Sequence, residues 1–158
     1  MPDTRARPPS HSPRWRELAA LNGDVASIIW LQRCEPDPIT HAAYLALIEQ
    51  VVAADDPTAM LYLGDMRHEA GGDEAVDFTR GEVAGHAWQI AACRRGLDCA
   101  AGSALMDQFC MAGMCAPSDL EAYIRAEVAR RGGDVDQLDA AVDSILALFP
   151  TPPRQHRR

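Results

Sequence analysis

The residues best placed to do chemistry are five cysteines: Cys34, Cys93, Cys99, Cys110 and Cys115. Four of them fall within 23 residues as C-x5-C-x10-C-x4-C. The strings AACRRGLDC and QFCMAGMC each place a Cys at a helix end, a Gly three positions on and a second Cys just beyond. Glycine there suits the left-handed residue that ends a helix and folds the chain back. That reversal brings each pair toward the roughly 5.5 Å Cα separation of a disulfide. Four cysteines allow three pairings, and this geometry favours Cys93–Cys99 with Cys110–Cys115. Closing such short loops stabilises by about 2–3 kcal/mol each, less if strained. Two other arrangements stay open. Four thiolates can hold zinc tetrahedrally, although these spacings depart from the usual C-x2-4-C knuckle. Alternatively, four reduced thiols pack in a reducing compartment. Redox catalysis is disfavoured, because the chain has no C-x-x-C. Cys34, near a helix end with Pro36 behind it, is expected to be a free thiol and a small buried apolar residue.

Other candidates for chemistry are sparse. Asp65, His68 and Glu69 stand at i, i+3 and i+4, a spacing that can bind a divalent metal on one helix face. Solvated charge is the plainer expectation, since no second cluster accompanies them. His41 and His86 each lie near a helix start and are expected at the surface or partly packed. The chain contains no H-E-x-x-H, no G-x-x-x-x-G-K and no G-x-S-x-G. The acids of 73–82 lack the ligand order of a calcium loop. Trp30, Trp88 and Tyr62 can line a ligand cavity, but core packing is their ordinary role. No catalytic residue, metal or cofactor is assigned, and nothing in the sequence names a reaction.

Charge is distributed unevenly. All 15 basic residues are Arg. Residues 1–16 hold four Arg and one acid, and 150–158 hold three Arg and no acid. The body, 17–149, holds 22 acids against eight Arg, a net of −14. Such a body repels phosphate backbones and disfavours nucleic acid as a partner. No apolar run reaches the roughly 18 residues of a membrane span. The opening MPDTRARPPSHSPRWREL is basic, but no apolar stretch of about 7–15 residues follows it, so it does not read as a complete secretory signal. That points to the cytoplasm, whereas disulfides point to a periplasmic or exported protein.

These residues need a scaffold. The 158 residues are 47% hydrophobic and 24% charged, a globular balance and a length suited to one domain. A chain this long can bury roughly 70% of its unfolded surface without a metal or staple. Ser12-Pro13, Asp24, Asp37-Pro38, Asp56-Pro57, Ser103, Ser118 and Asp134 read as helix starts. Ser118 with Glu121, and Asp134 with Gln137, form capping boxes. Apolar residues recur at helical spacing after each start. Trp15, Leu18 and Leu21 share one face, and Leu138, Val142, Ile145 and Phe149 share another. Trp30, Tyr44, Ile48, Leu61 and Leu63 are expected in the core, on helices at 25–34, 38–54 and 57–70 packed as consecutive antiparallel neighbours. Residues 73–83 read as a mobile acidic loop. The expected fold is all-α, with about eight helices in an antiparallel array or short α-solenoid. It occupies 12–149, between disordered basic tails at 1–11 and 150–158.

Two stretches align at an offset of 32 residues, LAALNGDVASIIWL from Leu18 and QVVAADDPTAMLYL from Gln50. Asp24 falls on Asp56, Ser27 on Ala59, Trp30 on Tyr62 and Leu31 on Leu63, and AGHAWQIAAC is a looser third copy with Ala87 in the small position. The string AADDPTAMLYLG resembles the tetratricopeptide-related helical repeats of the short bacterial SEL type. AACRRGLDC resembles the disulfide-bearing joins of the secreted, cysteine-rich branch of that superfamily. The resemblance covers about residues 18–115. It lacks most of the Gly-rich turns of those repeats, and its cysteines are more closely spaced. It implies a short solenoid with a protein-binding face. Function is therefore expected to be a non-catalytic interaction module that binds a protein or peptide. The other class is an enzyme or small-ligand carrier whose site assembles from scattered residues, or a zinc-stabilised helical domain.

Overall fold

A computed structural model describes residues 14–72, 77–79 and 81–150. It contains α1 (Arg14–Leu21), α2 (Val25–Arg33), α3 (His41–Ala54), α4 (Pro57–Gly64), α5 (Gly81–Arg94), α6 (Ala104–Met111), α7 (Leu120–Arg130) and α8 (Val135–Leu146). A 3-10 turn at Asp77–Thr79 precedes α5. Among the described residues there is no sheet, only a single parallel bridge between Ile39 and His68. The fold is all-α, as expected. The basic tail expected at 1–11 lies outside the described residues, as does that at 150–158 apart from Pro150; of the acidic loop expected at 73–83, residues 73–76 and 80 lie outside them, and Gly81 already opens α5.

Side-chain oxygens at the helix starts take up backbone N–H groups that no helical carbonyl reaches. Asp24 accepts from Ser27 N at 2.8 Å and Asp56 from Thr58 N at 2.8 Å, with Pro57 opening α4. Ser103 and Asp134 cap α6 and α8 in the same way. Each such cap stabilises by about 1 kcal/mol.

Three further boundaries differ from expectation. First, α3 starts at His41 with Thr40 as its cap, not at Asp37-Pro38. Second, α4 stops at Gly64 instead of running to 70. Both stem from one pairing: Ile39 N donates to Arg67 O at 3.1 Å, and Glu69 N donates to Ile39 O at 2.8 Å. The segment after α4 thus finds its partners beside the segment before α3. Third, Asp119 caps α7 by accepting from Ala122 N at 2.7 Å. This replaces the Ser118–Glu121 box, and Glu121 turns instead to Arg94 and Arg125.

The core is centred on α5, which packs against α4, α8 and α7. Trp88, Ile90, Leu63, Met60, Leu138 and Ile145 are fully buried there. The Trp88 indole donates to Phe78 O at 3.1 Å, so burying it leaves no orphan donor. Tyr44, Ile48, Leu61 and Leu63 are buried as expected, but Trp30 is only half-buried. The main neighbours of α2 are α1 and α4, with a smaller contact to α3. Trp15, Leu18 and Leu21 do share a face, yet it looks outward: they are 59%, 52% and 83% exposed. Ion pairs lace the periphery. Arg94 and Arg125 meet on Glu121, and Arg125 also reaches Asp139, joining α5, α7 and α8. Hydrogen bonding from Arg94 is the largest influence holding the Glu121 carboxyl below its ordinary range. That contribution to stability is therefore present above the ordinary glutamate pKa and is lost as pH falls through the depressed value.

One close approach sets the α4–α5 geometry. A Cβ added at Gly64 would lie 2.6 Å from Gly85 O, and one added at Gly85 would lie 2.5 Å from Gly64 O. Only glycine at both positions lets the two backbones touch. Gly64→Ala and Gly85→Ala are therefore expected to destabilise by about 1–3 kcal/mol in urea titrations. The intrinsic helix preference for Ala over Gly has the opposite sign. Gly72→Ala, where an added Cβ meets nothing within 4 Å, should stay within about 0.5 kcal/mol. Equal effects at all three positions would contradict the crossing.

Candidate functional site

The four clustered cysteines form two disulfides, Cys93–Cys99 and Cys110–Cys115. Each closes the same turn. Gly96 has φ +110 and Gly113 has φ +91, the left-handed residue expected after each helix. Leu97 N then bonds back to Ala92 O at 3.1 Å, and Met114 N to Phe109 O at 2.9 Å. With their sulfurs bonded in pairs, these cysteines are not the four thiolates that a zinc site needs. Cys34 is free, as expected, but it is exposed. It is the C-cap of α2, one residue beyond the helix whose inner face is Ala26, Ser27 and Ile29.

The helix face expected to carry Asp65, His68 and Glu69 does not exist, because α4 ends at Gly64. Asp65 becomes the C-cap of α4, and His68 and Glu69 follow in extended chain beside Ile39. The His68 ring stacks on Tyr44 with centroids 3.7 Å apart, and its Nδ1 lies 2.9 Å from Glu69 O. His41 lies 6.2 Å from His68 between ring centroids. No group of three potential metal-binding side chains occurs among the described residues.

Two concavities flank Asp65. The first, of about 310 Å³, opens between α4 and α5, with Gly64 and Gly85 in its wall beside Tyr44, His68, His86 and Gln89. Its polar groups satisfy one another. Gln89 Nε2 donates to Asp65 Oδ1 at 2.8 Å, and Arg33 pairs with Asp65 Oδ2 at 3.1 Å. His86 lies 3.4 Å from Gln89 Oε1 and 3.6 Å from a Glu82 oxygen. Crowding strips water from Asp65 and pushes its carboxyl above the ordinary range, against the opposing pull of Arg33 and Gln89. The side chain nevertheless keeps 42% of its surface exposed. Burial also pushes the Tyr44 phenol far up. This pocket therefore offers a seam of engaged polar groups.

The second concavity, of about 360 Å³, is different in kind. It runs between α2 and α4 on one side and α6 on the other, with Arg16 of α1 at one end. Trp30, Leu61, Tyr62, Leu105, Phe109 and Met114 line it together with the polar side chains of Arg33, Asp65 and Gln108. The Arg16 guanidinium lies over the rings of Trp15 and Trp30, each centroid 4.6 Å away, and over Tyr62 at 5.5 Å. It donates to Tyr62 Oη at 3.2 Å. Arg33 lies over the same Tyr62 ring at 5.5 Å. Of the three rings singled out in the sequence, Trp88 is core, whereas Trp30 and Tyr62 line this groove. No local spacing links α1 to α6, so Arg16, Phe109 and Met114 carry no sequence signal for it. Comparison with protein-family models, curated proteins and solved structures finds no match to this chain.

The two disulfides differ in exposure. Cys110 and Cys115 are exposed, whereas Cys99 is 7% exposed and Cys93 is partly covered. Thiol–disulfide exchange requires access to sulfur. Under limiting dithiothreitol, alkylation and mass mapping should therefore find Cys110 and Cys115 labelled after Cys34 and before Cys93 and Cys99. Opening of Cys93–Cys99 first would contradict this packing.

Proposed function

We propose that this protein is a non-catalytic interaction module, and that the aromatic groove among α1, α2, α4 and α6 receives a protein or peptide segment. The observation that best supports this reading is where the exposed apolar residues fall. Of seven large hydrophobic side chains exposed among the described residues, Trp15, Leu18 and Leu21 lie on α1, which carries Arg16 of the groove, Met111 ends α6, and Met114 lines the groove just beyond it. Scattered single residues of this kind need no explanation, but a concentration beside a groove marks an interaction surface. Methionine adds a side chain that adapts to varied partners.

The partner in this reading is a protein, not nucleic acid, because the surrounding body is strongly acidic. No helix among the described residues is long and apolar enough to cross a membrane. The two disulfides suit an oxidising compartment, so the proposal places the protein in the periplasm or outside the cell. The helical-repeat reading belongs to the same proposal. Its best support is that α2 and α4, the two aligned copies, pack together and are both capped by Asp, at Asp24 and Asp56.

A photo-crosslinking residue in place of Met111, which is 82% exposed, tests the groove in the native host. A discrete protein adduct is expected from this position, and none from a probe replacing Asp136 on the exposed face of α8. Adducts of equal yield at both positions, or none at Met111, would contradict the proposal.

A further inference from the structure

Among the described residues, most arginines are spent on the protein's own acids. Six of the nine described arginines, Arg33, Arg94, Arg95, Arg125, Arg130 and Arg131, pair with carboxylates. Arg67 instead donates to the carbonyls of Glu35 and Pro36. Arg16 is half-buried and, among the described residues, has no carboxylate within ion-pair distance. Its rings and one phenol oxygen stand in for one. Asp24, an acid close enough to feel it, is held low mainly by hydrogen bonding to Ser27, with a smaller influence from Arg16. That carboxylate is committed to capping α2.

The geometry explains what Arg16 has left to offer. Aromatic contact uses the faces of a guanidinium and leaves its edge, which carries five N–H donors in a rigid fork. One described bond, to Tyr62, draws on that edge. Aromatic packing also strips water from the cation, which strengthens its attraction for an anion. Beside it, Trp30, Leu105, Phe109 and Met114 offer an apolar wall. Arg33 is already paired with Asp65, so among the described residues Arg16 is the groove's cation without an ion-pair partner.

Resting on the reading of this groove as a protein-binding surface, we propose that its partner is a segment bearing an aliphatic or aromatic anchor flanked by a carboxylate. The anchor packs on Trp30, Phe109 and Met114, and the carboxylate takes the free edge of Arg16 in a bidentate pair. Charge selects this occupant over the alternatives. A basic segment would meet Arg16 and Arg33 at like charge. An extended anionic surface such as a membrane would meet the whole body, whose net charge over 17–149 is −14. A single carboxylate in the groove feels mainly Arg16, because distant charges are screened beyond about 8 Å at physiological salt.

Selection from a phage library of random dodecapeptides tests this, followed by fluorescence anisotropy with the enriched peptides. Enrichment of sequences combining Leu, Phe or Trp with Asp or Glu is expected. Their binding should weaken as ionic strength rises and fall roughly tenfold in Arg16→Gln. Changing the peptide's acids to amides should give the same loss, and it leaves the protein untouched. Phe109→Ala should weaken binding without removing the preference for acids. Enriched peptides that bind in the groove but lack acids, or that bind equally well to Arg16→Gln, would overturn the inference and leave the interaction module standing. Peptides unaffected by Phe109→Ala and Met114→Ala, or no enrichment at all, would overturn both. Binding to phosphatidylglycerol vesicles without peptide enrichment would likewise overturn both, in favour of a lipid surface.

Discussion

Two glycines in contact organise this molecule. Gly64 closes α4 and Gly85 lies one turn into α5, and neither position has room for a Cβ. Helices normally pack about 8–10 Å apart because side chains keep them there. Removing the side chain from both partners lets the backbones meet, and that approach fixes the positions of their neighbours. It sets Trp88 into the core beside Leu63, and it brings Gln89 within 2.8 Å of Asp65. Asp65 in turn holds Arg33 over Tyr62. One steric allowance thus reaches from the centre of the core to the floor of the aromatic groove.

Elements farther from that crossing are tied down by other means. The α6 segment buries only Met106, so packing alone gives it little purchase. The Cys110–Cys115 bridge holds its final turn, where Met111 and Met114 stand. The Cys93–Cys99 bridge holds the end of α5, and Leu120 N, at the first residue of α7, donates to Cys99 O at 3.1 Å. Both staples stabilise chiefly by limiting the unfolded chain. Arg95 adds a third tie, pairing with Asp55 at the end of α3 while lying over Phe149. These ties position the groove wall without a large local core.

The helices are legible in the sequence because their signals are local. An Asp or Ser cap, a Pro at the first position and an apolar stripe all lie within a few residues of one another. The cysteine turns are legible for the same reason, since helix end, left-handed glycine and second thiol succeed one another in one short string. Three departures share one opposite cause. The end of α4 at Gly64, the start of α3 at His41 and the loss of the Asp65–His68–Glu69 helix face all depend on Ile39 meeting residues 67–69. That contact spans some 30 positions and has no local signature. The outward face of α1 escapes periodicity, which shows that a face is apolar and not that something covers it. The groove is invisible for a related reason: Arg16, Tyr62 and Phe109 converge only once three helices are placed. A glycine inside the helical string AGHAWQIAAC is the one available hint of a close backbone approach.

The α4–α5 contact underlies both the core and the groove, and nuclear magnetic resonance can observe it without perturbing the chain. Cross-relaxation between the Gly64 and Gly85 Hα protons is the direct measurement. Strong cross-peaks between them are expected from backbones in contact. Their absence, with α4 and α5 at the ordinary separation of about 8–10 Å, would contradict the crossing and with it the placement of Asp65 between pocket and groove.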